Sequence, residues 1–198
     1  MWFPRTDSDI QLAITEGSLS ETKYLDAKRE SGDTNSARAE TAKDMASFAL
    51  DGGSLIIGVE EDKKTGAFSL APQPLAGLPE KLEQIAANRI DPPLFIRVTE
   101  IASASDPSRG YVLVEIPPSP TAPHMVDSRY FARGDRTTRK LTDAEVVRFH
   151  SQRHGQEERL GALLRDEIER ELSLDLDDCC LLDNLNYVIH RESTPGQG

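Results

Sequence analysis

Apolar positions along the first 155 residues recur at two spacings. Spacings of three and four residues predict helices at 7–16, 35–50, 78–90 and 142–153. Continuous or alternating apolar runs predict strands at 24–29, 54–59, 94–101, 110–116 and 129–133. The expected N-caps of the first two helices are Asp7 or Ser8 and Asn35 or Ser36. Helices and strands are interspersed, which predicts an α+β (mixed α/β) fold.

The last quarter of the chain follows a different pattern. A helix predicted at 156–172 has one apolar face, and its other face is almost wholly charged. The apolar face consists of Leu160, Leu163, Leu164, Ile168 and Leu172. Residues 174–189 are consistent with a second short helix, and we expect 192–198 to be disordered. The chain is therefore predicted to contain a domain at 1–155 and an acidic helical appendage at 156–198.

Two interpretations of this amphipathic helix remain open. Its apolar face either packs onto its own domain or contacts a partner, which includes a second copy of the chain.

Charge is unevenly distributed, and this changes what the net charge of −11 implies. Residues 156–198 carry 4 basic and 11 acidic side chains, whereas residues 129–140 carry 5 basic side chains and 1 acidic one. Proteins that coat duplex DNA by bulk charge are usually basic, so the composition argues against that class. The composition remains compatible with a local basic groove.

The sequence has the features of neither a membrane protein nor a disulfide-stabilised protein. The longest apolar runs fall well short of a membrane span, and the first residues lack the apolar stretch of a signal peptide. Cys179 and Cys180 are adjacent and cannot frame a disulfide scaffold. We expect a soluble, cytoplasmic protein.

Acidic residues and one lysine flank two predicted strands. Asp26 and Lys28 share one face of the strand 24–29, because side chains alternate along a strand. If this strand pairs with 54–59, the carboxylates of Glu21, Asp26 and Glu60 would converge. Three such carboxylates suit Mg²⁺ or Mn²⁺, and Lys28 would stabilise charge on a phosphate. The pattern is that of metal-assisted phosphodiester cleavage; alternatively, these are surface charges, with Lys28 paired to Asp26.

The most basic segment interleaves cations with aromatic residues. Arginines bind phosphates through two hydrogen bonds, and aromatic rings stack on exposed bases. The candidate nucleic-acid-binding residues are Arg129, Tyr130, Arg133, Arg136, Arg139 and Lys140. Strand alternation predicts that either Tyr130 or Phe131 points inward. In the alternative interpretation the arginines are merely solvated.

Together, these motifs resemble the Schlafen-type AlbA domain, a family of nucleic-acid-binding modules. The resemblance rests on residues 21–28, 46–53, 55–61 and 129–138 and covers about 18–150. It implies a nucleic-acid-binding function. In relatives that cleave RNA it also implies a three-acid metal site, here Glu21, Asp26 and either Glu60 or Glu61. Those relatives surround RNA with two lobes, so the resemblance implies a homodimer for this chain.

Two functions follow as hypotheses. The first is RNA or DNA binding, with RNA or single strands favoured, and Mg²⁺- or Mn²⁺-dependent endoribonuclease activity. In that hypothesis Glu21, Asp26, Glu60 and Lys28 are catalytic. The second is a non-catalytic interaction module that acts through dimerisation or partner binding by its C-terminal helix.

Overall fold

The computed structural model describes residues 2–191, with side chains described up to residue 170. The chain divides into two compact units, residues 1–151 and residues from 152 onward. Its helices are α1 (Asp7–Thr15), α2 (Asn35–Phe48), α3 (Leu78–Asn88) and α4 (Asp143–Arg191). Its strands are β1 (Leu25–Lys28), β2 (Gly53–Ile57), β3 (Val59–Glu61), β4 (Phe68–Leu70), β5 (Gln73–Pro74), β6 (Arg97–Ala102), β7 (Arg109–Ile116), β8 (Met125–Val126), β9 (Arg129–Arg133) and β10 (Thr138–Lys140). The α+β class is confirmed.

Threonines cap the first two helices. The Thr6 hydroxyl accepts a hydrogen bond from the backbone N–H of Asp9 at 3.2 Å, and the Thr34 hydroxyl accepts one from Ala37 at 3.1 Å. The predicted caps lie one or two residues too late, at Asp7 or Ser8 and at Asn35 or Ser36. An N-cap must have extended backbone geometry, and both threonines have it.

The main sheet brings together the two strands that flank the acidic residues. Strand β1 is parallel to β2, which is antiparallel to β7; β6 and the short β5 also pair with β7. Asp26 is opposite Leu55, and Lys28 is opposite Ile57. Because opposite residues share a face of the sheet, Asp26 and Lys28 project to the same side as Leu55.

The predicted strand 54–59 is confirmed as β2 up to Ile57, but its continuation through Gly58 to Val59 was wrong. Gly58 has a φ of +98°. A Cβ atom there would lie 2.9 Å from the Tyr111 ring and 3.0 Å from the Gly110 carbonyl oxygen. The chain changes direction at this glycine, and β3 pairs with β4 outside the main sheet. The side-chain alternation of β2 therefore does not continue to Glu60.

Apolar clusters cover both faces of the main sheet. Helices α2 and α3 pack on one face, where Phe48 and Leu82 meet Leu55. Helix α1 packs on the other face, where Ile10 meets Ile56. Since Asp26 and Lys28 share the face of Leu55, they project toward the α2 side.

Strand β9 pairs with both β8 and β10. Its Phe131 is buried in the cluster that contains α2, which confirms that one aromatic residue of the basic segment points inward. Strands β4, β5, β8 and β10 were not predicted, because runs of two or three residues carry little periodicity.

The C-terminal part is one continuous helix rather than the separate helices predicted at 142–153, 156–172 and 174–189. Helix α4 runs through these segments without a break. Its side chains Leu160, Leu163, Leu164 and Ile168 are exposed. The prediction of disorder at 192–198 lies outside the described residues. Among the described helices, none is long and apolar enough to span a membrane.

Candidate functional site: an acidic cleft

A cleft of about 670 Å³ opens where the end of β1, helix α2, strand β3 and the β9–β10 turn meet. Its acidic lining residues are Glu21, Asp26, Glu40, Asp44, Glu60 and Glu61, and its basic ones are Lys28, Arg29, Lys63, Arg133 and Arg136. We call this the acidic cleft. Every predicted catalytic or metal-binding residue lies in it, together with two of the predicted arginines.

Asp26 and Arg133 form a buried ion pair within the cleft. The Asp26 Oδ1 accepts a hydrogen bond from the Arg133 Nη2 at 2.8 Å, and the two side chains are only 10% and 3% exposed. The Arg133 guanidinium also lies 4.9 Å from the centre of the Phe48 ring. Arg133, a predicted nucleic-acid-binding residue, is thus buried and holds Asp26; its predicted role stays a prediction.

Lys28 is held mainly by a residue that sequence analysis did not single out. Its Nζ lies 2.6 Å from Asp44 Oδ2 and 3.7 Å from Asp26 Oδ2. Burial would lower the pKa of Lys28, but Asp44 and then Asp26 outweigh burial and raise it. Lys28 therefore remains a cation. We call Asp26, Lys28, Asp44 and Arg133 the cleft floor.

Asp44 is also bound by the β10 strand. Its Oδ1 accepts a hydrogen bond from the Thr138 hydroxyl at 2.8 Å. Asp44 lies on the buried side of α2, in helical register with Thr41 and Phe48, which are three residues before it and four after it. An acid on the buried face of a helix needs a polar or charged partner. The place of Asp44 among the buried positions of the helix was therefore the feature of the sequence that could have identified it.

Glu21 is the carboxyl with the most perturbed titration in the cleft. Burial, followed by the nearby carboxylates of Asp26 and Glu61, raises the pKa of Glu21 to about 7. Its Oε1 faces the backbone N–H of Ala27 at 3.5 Å. Asp26 and Glu61 are thus the two acids whose charges act on Glu21.

Glu60 has a different environment. Its Oε2 accepts a hydrogen bond from Arg29 Nη1 at 2.8 Å, and the two side chains are 43% and 62% exposed. The resemblance left Glu60 and Glu61 as alternatives for the third acid. The turn at Gly58 places Glu60 against Arg29 and leaves Glu61 as the electrostatic neighbour of Glu21.

Asp26, one of the predicted metal ligands, faces cations of the chain with both of its oxygens: one is bound by Arg133, and the other lies 3.7 Å from Lys28. Among the side chains described, no group of three or more His, Cys, Asp or Glu residues could hold a metal ion. The dependence of nuclease activity on Mg²⁺ or Mn²⁺ stays a prediction, and no chemical step is assigned to a metal ion.

The basic segment does not form one surface. Arg136 is exposed and lines the acidic cleft. Arg139 instead donates two hydrogen bonds, of 3.0 Å and 2.7 Å, to the carboxylate of Glu145. Tyr130 is half-buried and lies edge-on to His150, with 5.6 Å between the ring centres.

The remaining two cations of the segment lie in another depression. Arg129 and Lys140 are exposed and line a hollow of about 350 Å³, together with Lys43, Asp127 and Phe131. The structure thus divides the six predicted nucleic-acid-binding residues among the acidic cleft, this hollow and contacts to α4.

The chain belongs to the Schlafen AlbA_2 family, whose family model matches residues 21–142, more than half of the chain. This confirms the resemblance found in the motifs. Among solved structures, the chain is similar to the DIP2311 protein from Corynebacterium diphtheriae, with 20% identity and a TM-score of 0.47. The match covers 70% of this chain and 31% of that one, so this chain spans less than a third of its length. No curated protein matches the chain significantly.

Proposed function

We propose that the domain binds single-stranded nucleic acid, preferentially RNA, with the phosphate backbone in the acidic cleft. Membership of the Schlafen AlbA_2 family supports a nucleic-acid-related function. The observation that carries the proposal is how the charges in the cleft are paired. Asp26, Asp44 and Glu60 are each neutralised by a cation of the cleft, and Glu21 is about half protonated near pH 7.

This internal pairing leaves cations available at the edge of the cleft. Lys63 and Arg136 are exposed, line the cleft and form no ion pair with other described residues. An arginine can bind a phosphate through two hydrogen bonds, and a lysine acts as a point charge. A negatively charged backbone can therefore enter the cleft despite the acidic composition of the chain.

A salt titration of oligonucleotide binding tests the proposal. We expect the affinity for single-stranded RNA to fall steeply with salt, with a slope of about −0.7 for each phosphate neutralised. The double variant Lys63→Ala and Arg136→Ala should weaken binding and make that slope shallower. The control is Lys64→Ala, because Lys64 is the exposed neighbour of Lys63 but does not line the cleft. Salt-independent binding, or equal slopes for both variants, would contradict the proposal.

Cleavage of the bound strand is a second candidate function. The specific observation is Glu21, whose pKa of about 7 suits a group that exchanges a proton at neutral pH. Lys28 lies in the same cleft and could stabilise negative charge on a phosphate. Structured RNA such as tRNA should then be cleaved by the wild-type chain and much more slowly by Glu21→Gln. Parallel reactions with Mn²⁺ and with EDTA test the metal dependence, and equal cleavage by the variant would exclude this function.

Partner binding by the C-terminal helix is favoured by a separate observation. Leu160, Leu163, Leu164 and Ile168 are exposed on α4, and exposed apolar patches mark interaction sites. A homodimer through this helix should appear as twice the monomer mass in light scattering. The change Leu163→Lys should reduce that mass without altering RNA binding per chain. A monomeric wild type at all concentrations would reject the dimer.

A further inference from the structure

Another pocket, of about 310 Å³, lies beside the start of β1. Its apolar surface comes from Trp2, Leu19, Tyr24 and Leu25. Leu19 is buried, whereas the Tyr24 residue is 47% exposed and therefore accessible. Hydroxyl side chains, among them Thr22, complete the lining. We call this the aromatic pocket.

The lining combines aromatic rings with hydroxyl groups. A planar heterocycle can stack on aromatic side chains, and hydroxyls can both donate to and accept from its polar edge. The hydroxyls already have partners within the chain, because Thr22 Oγ1 accepts from the backbone N–H of Tyr24 and Ser18 Oγ donates to the Ala13 carbonyl. Thr22 keeps its proton to donate and Ser18 keeps lone pairs to accept, and a base stacked on the rings can use this capacity whereas an apolar side chain cannot.

The aromatic pocket and the acidic cleft share one segment of chain. Thr22 lines the pocket and its neighbour Glu21 lines the cleft. Leu25 lines the pocket and projects to the α1 side of β1, whereas its neighbour Asp26 lines the cleft and projects to the α2 side, so the two sites lie on opposite faces of this strand. Strand β1 is also the last strand on its side of the sheet, so one nucleic-acid chain can contact both sites across this edge.

We propose that the aromatic pocket binds one unstacked base of the strand whose phosphates lie in the acidic cleft. This inference rests on the proposed function and adds the basis of its preference for single strands. A base in a duplex is stacked and paired and cannot enter such a pocket without being flipped out. The cleft attracts the backbone, and the pocket selects strands with accessible bases.

Trp2 provides a direct reporter because it is the only tryptophan in the chain. The experiment compares a single-stranded RNA oligonucleotide with an abasic oligonucleotide of the same length, followed by tryptophan fluorescence. Stacking on an aromatic residue is expected to make the base-containing strand bind about tenfold more tightly or better. That strand should also quench Trp2 more than the abasic strand does.

Variants at Tyr24 separate the pocket from the cleft. Tyr24→Ala should remove the preference for the base-containing strand and leave abasic binding unchanged, which also shows that the variant is folded. Tyr24→Phe should retain the preference. The control is Phe95→Ala, since Phe95 is an exposed aromatic residue, 66% accessible, that does not line the pocket.

The outcomes distinguish this inference from the proposed function. If both oligonucleotides bind with equal affinity and Trp2 fluorescence does not discriminate between them, the aromatic pocket does not bind a base, although the cleft still binds a backbone. If neither oligonucleotide binds, the proposed function is wrong and this inference fails with it. Loss of abasic binding in Tyr24→Ala would also overturn the separation of roles between pocket and cleft.

Discussion

The floor of the acidic cleft is buried, whereas its edge, which includes Glu60 and Arg29, is exposed. Both parts contain carboxylates paired with cations. On the floor, Asp26 and Arg133 are buried and bound to each other. At the edge, Glu60 and Arg29 form a pair of similar length, but both are largely exposed. Removing one partner of a buried pair leaves an uncompensated charge, whereas an exposed pair contributes little. The floor therefore holds the cleft together, and the edge is the part of it that is accessible to solvent.

The largest expected effect comes from breaking the buried pair. Arg133→Met should lower the free energy of unfolding by about 3 kcal/mol, because Asp26 would remain buried without its partner. Denaturant titration measures this change. Arg129→Met is the matched control on the same strand, where the exposed side chain should contribute less than about 0.5 kcal/mol. Equal effects of the two changes would contradict the distinction between floor and edge.

A smaller effect is expected at the other floor pair. Asp44→Asn retains an oxygen that can accept the Thr138 hydrogen bond but removes the charge facing Lys28. We expect a loss of about 1–2 kcal/mol, since Lys28 stays partly exposed and lies near Asp26. The pKa of Lys28 should fall as well, which amine-specific labelling against pH can measure. Asp51→Asn, which breaks an exposed pair with Lys23, is the control; an unchanged Lys28 titration would show that Asp44 does not stabilise its charge.

The pH dependence of stability tests the environment of Glu21 in the cleft. Its pKa rises from an ordinary 4.5 to about 7 on folding, so the unfolded chain ionises first as the pH increases. The contribution of Glu21 to stability is thus lost between about pH 4.5 and pH 7. Glu21→Gln should match the wild type at low pH and exceed its stability by about 1 kcal/mol at pH 8, with the shift discounted for partial exposure.

Denaturant titrations at several pH values measure this difference between Glu21→Gln and the wild type. Glu83→Gln on α3 controls for the loss of one negative charge at an exposed position. A stability difference that does not change with pH would show that Glu21 is not held in its protonated form by the cleft.

The smallest effect is expected at the edge. Glu60→Gln removes the charge that faces Arg29, yet both side chains are largely exposed. We expect less than about 0.5 kcal/mol, and high salt should reduce even that. A loss comparable to that of Arg133→Met would show that the edge is as structural as the floor.

Much of the fold was predictable because its signals are local. The apolar periodicity located the first three helices and the strands β1, β2, β6, β7 and β9 to within a few residues. The errors have local causes too. Gly58 was read as part of one strand, although its positive φ ends β2 and places both Glu60 and Glu61 on the separate strand β3. The helix predicted to stop near residue 153 continues, since Gly155 does not interrupt α4.

The sequence by itself determined which residues would surround the cleft, and only the tertiary structure decided how they are paired. The motifs indicated Glu21, Asp26 and Lys28, because an acid and a lysine two residues apart share one face of a strand. No local pattern could indicate that Arg133, 107 residues away, would bind Asp26. Such a pairing depends on strand register and helix packing across the core, and these bring distant residues to one point.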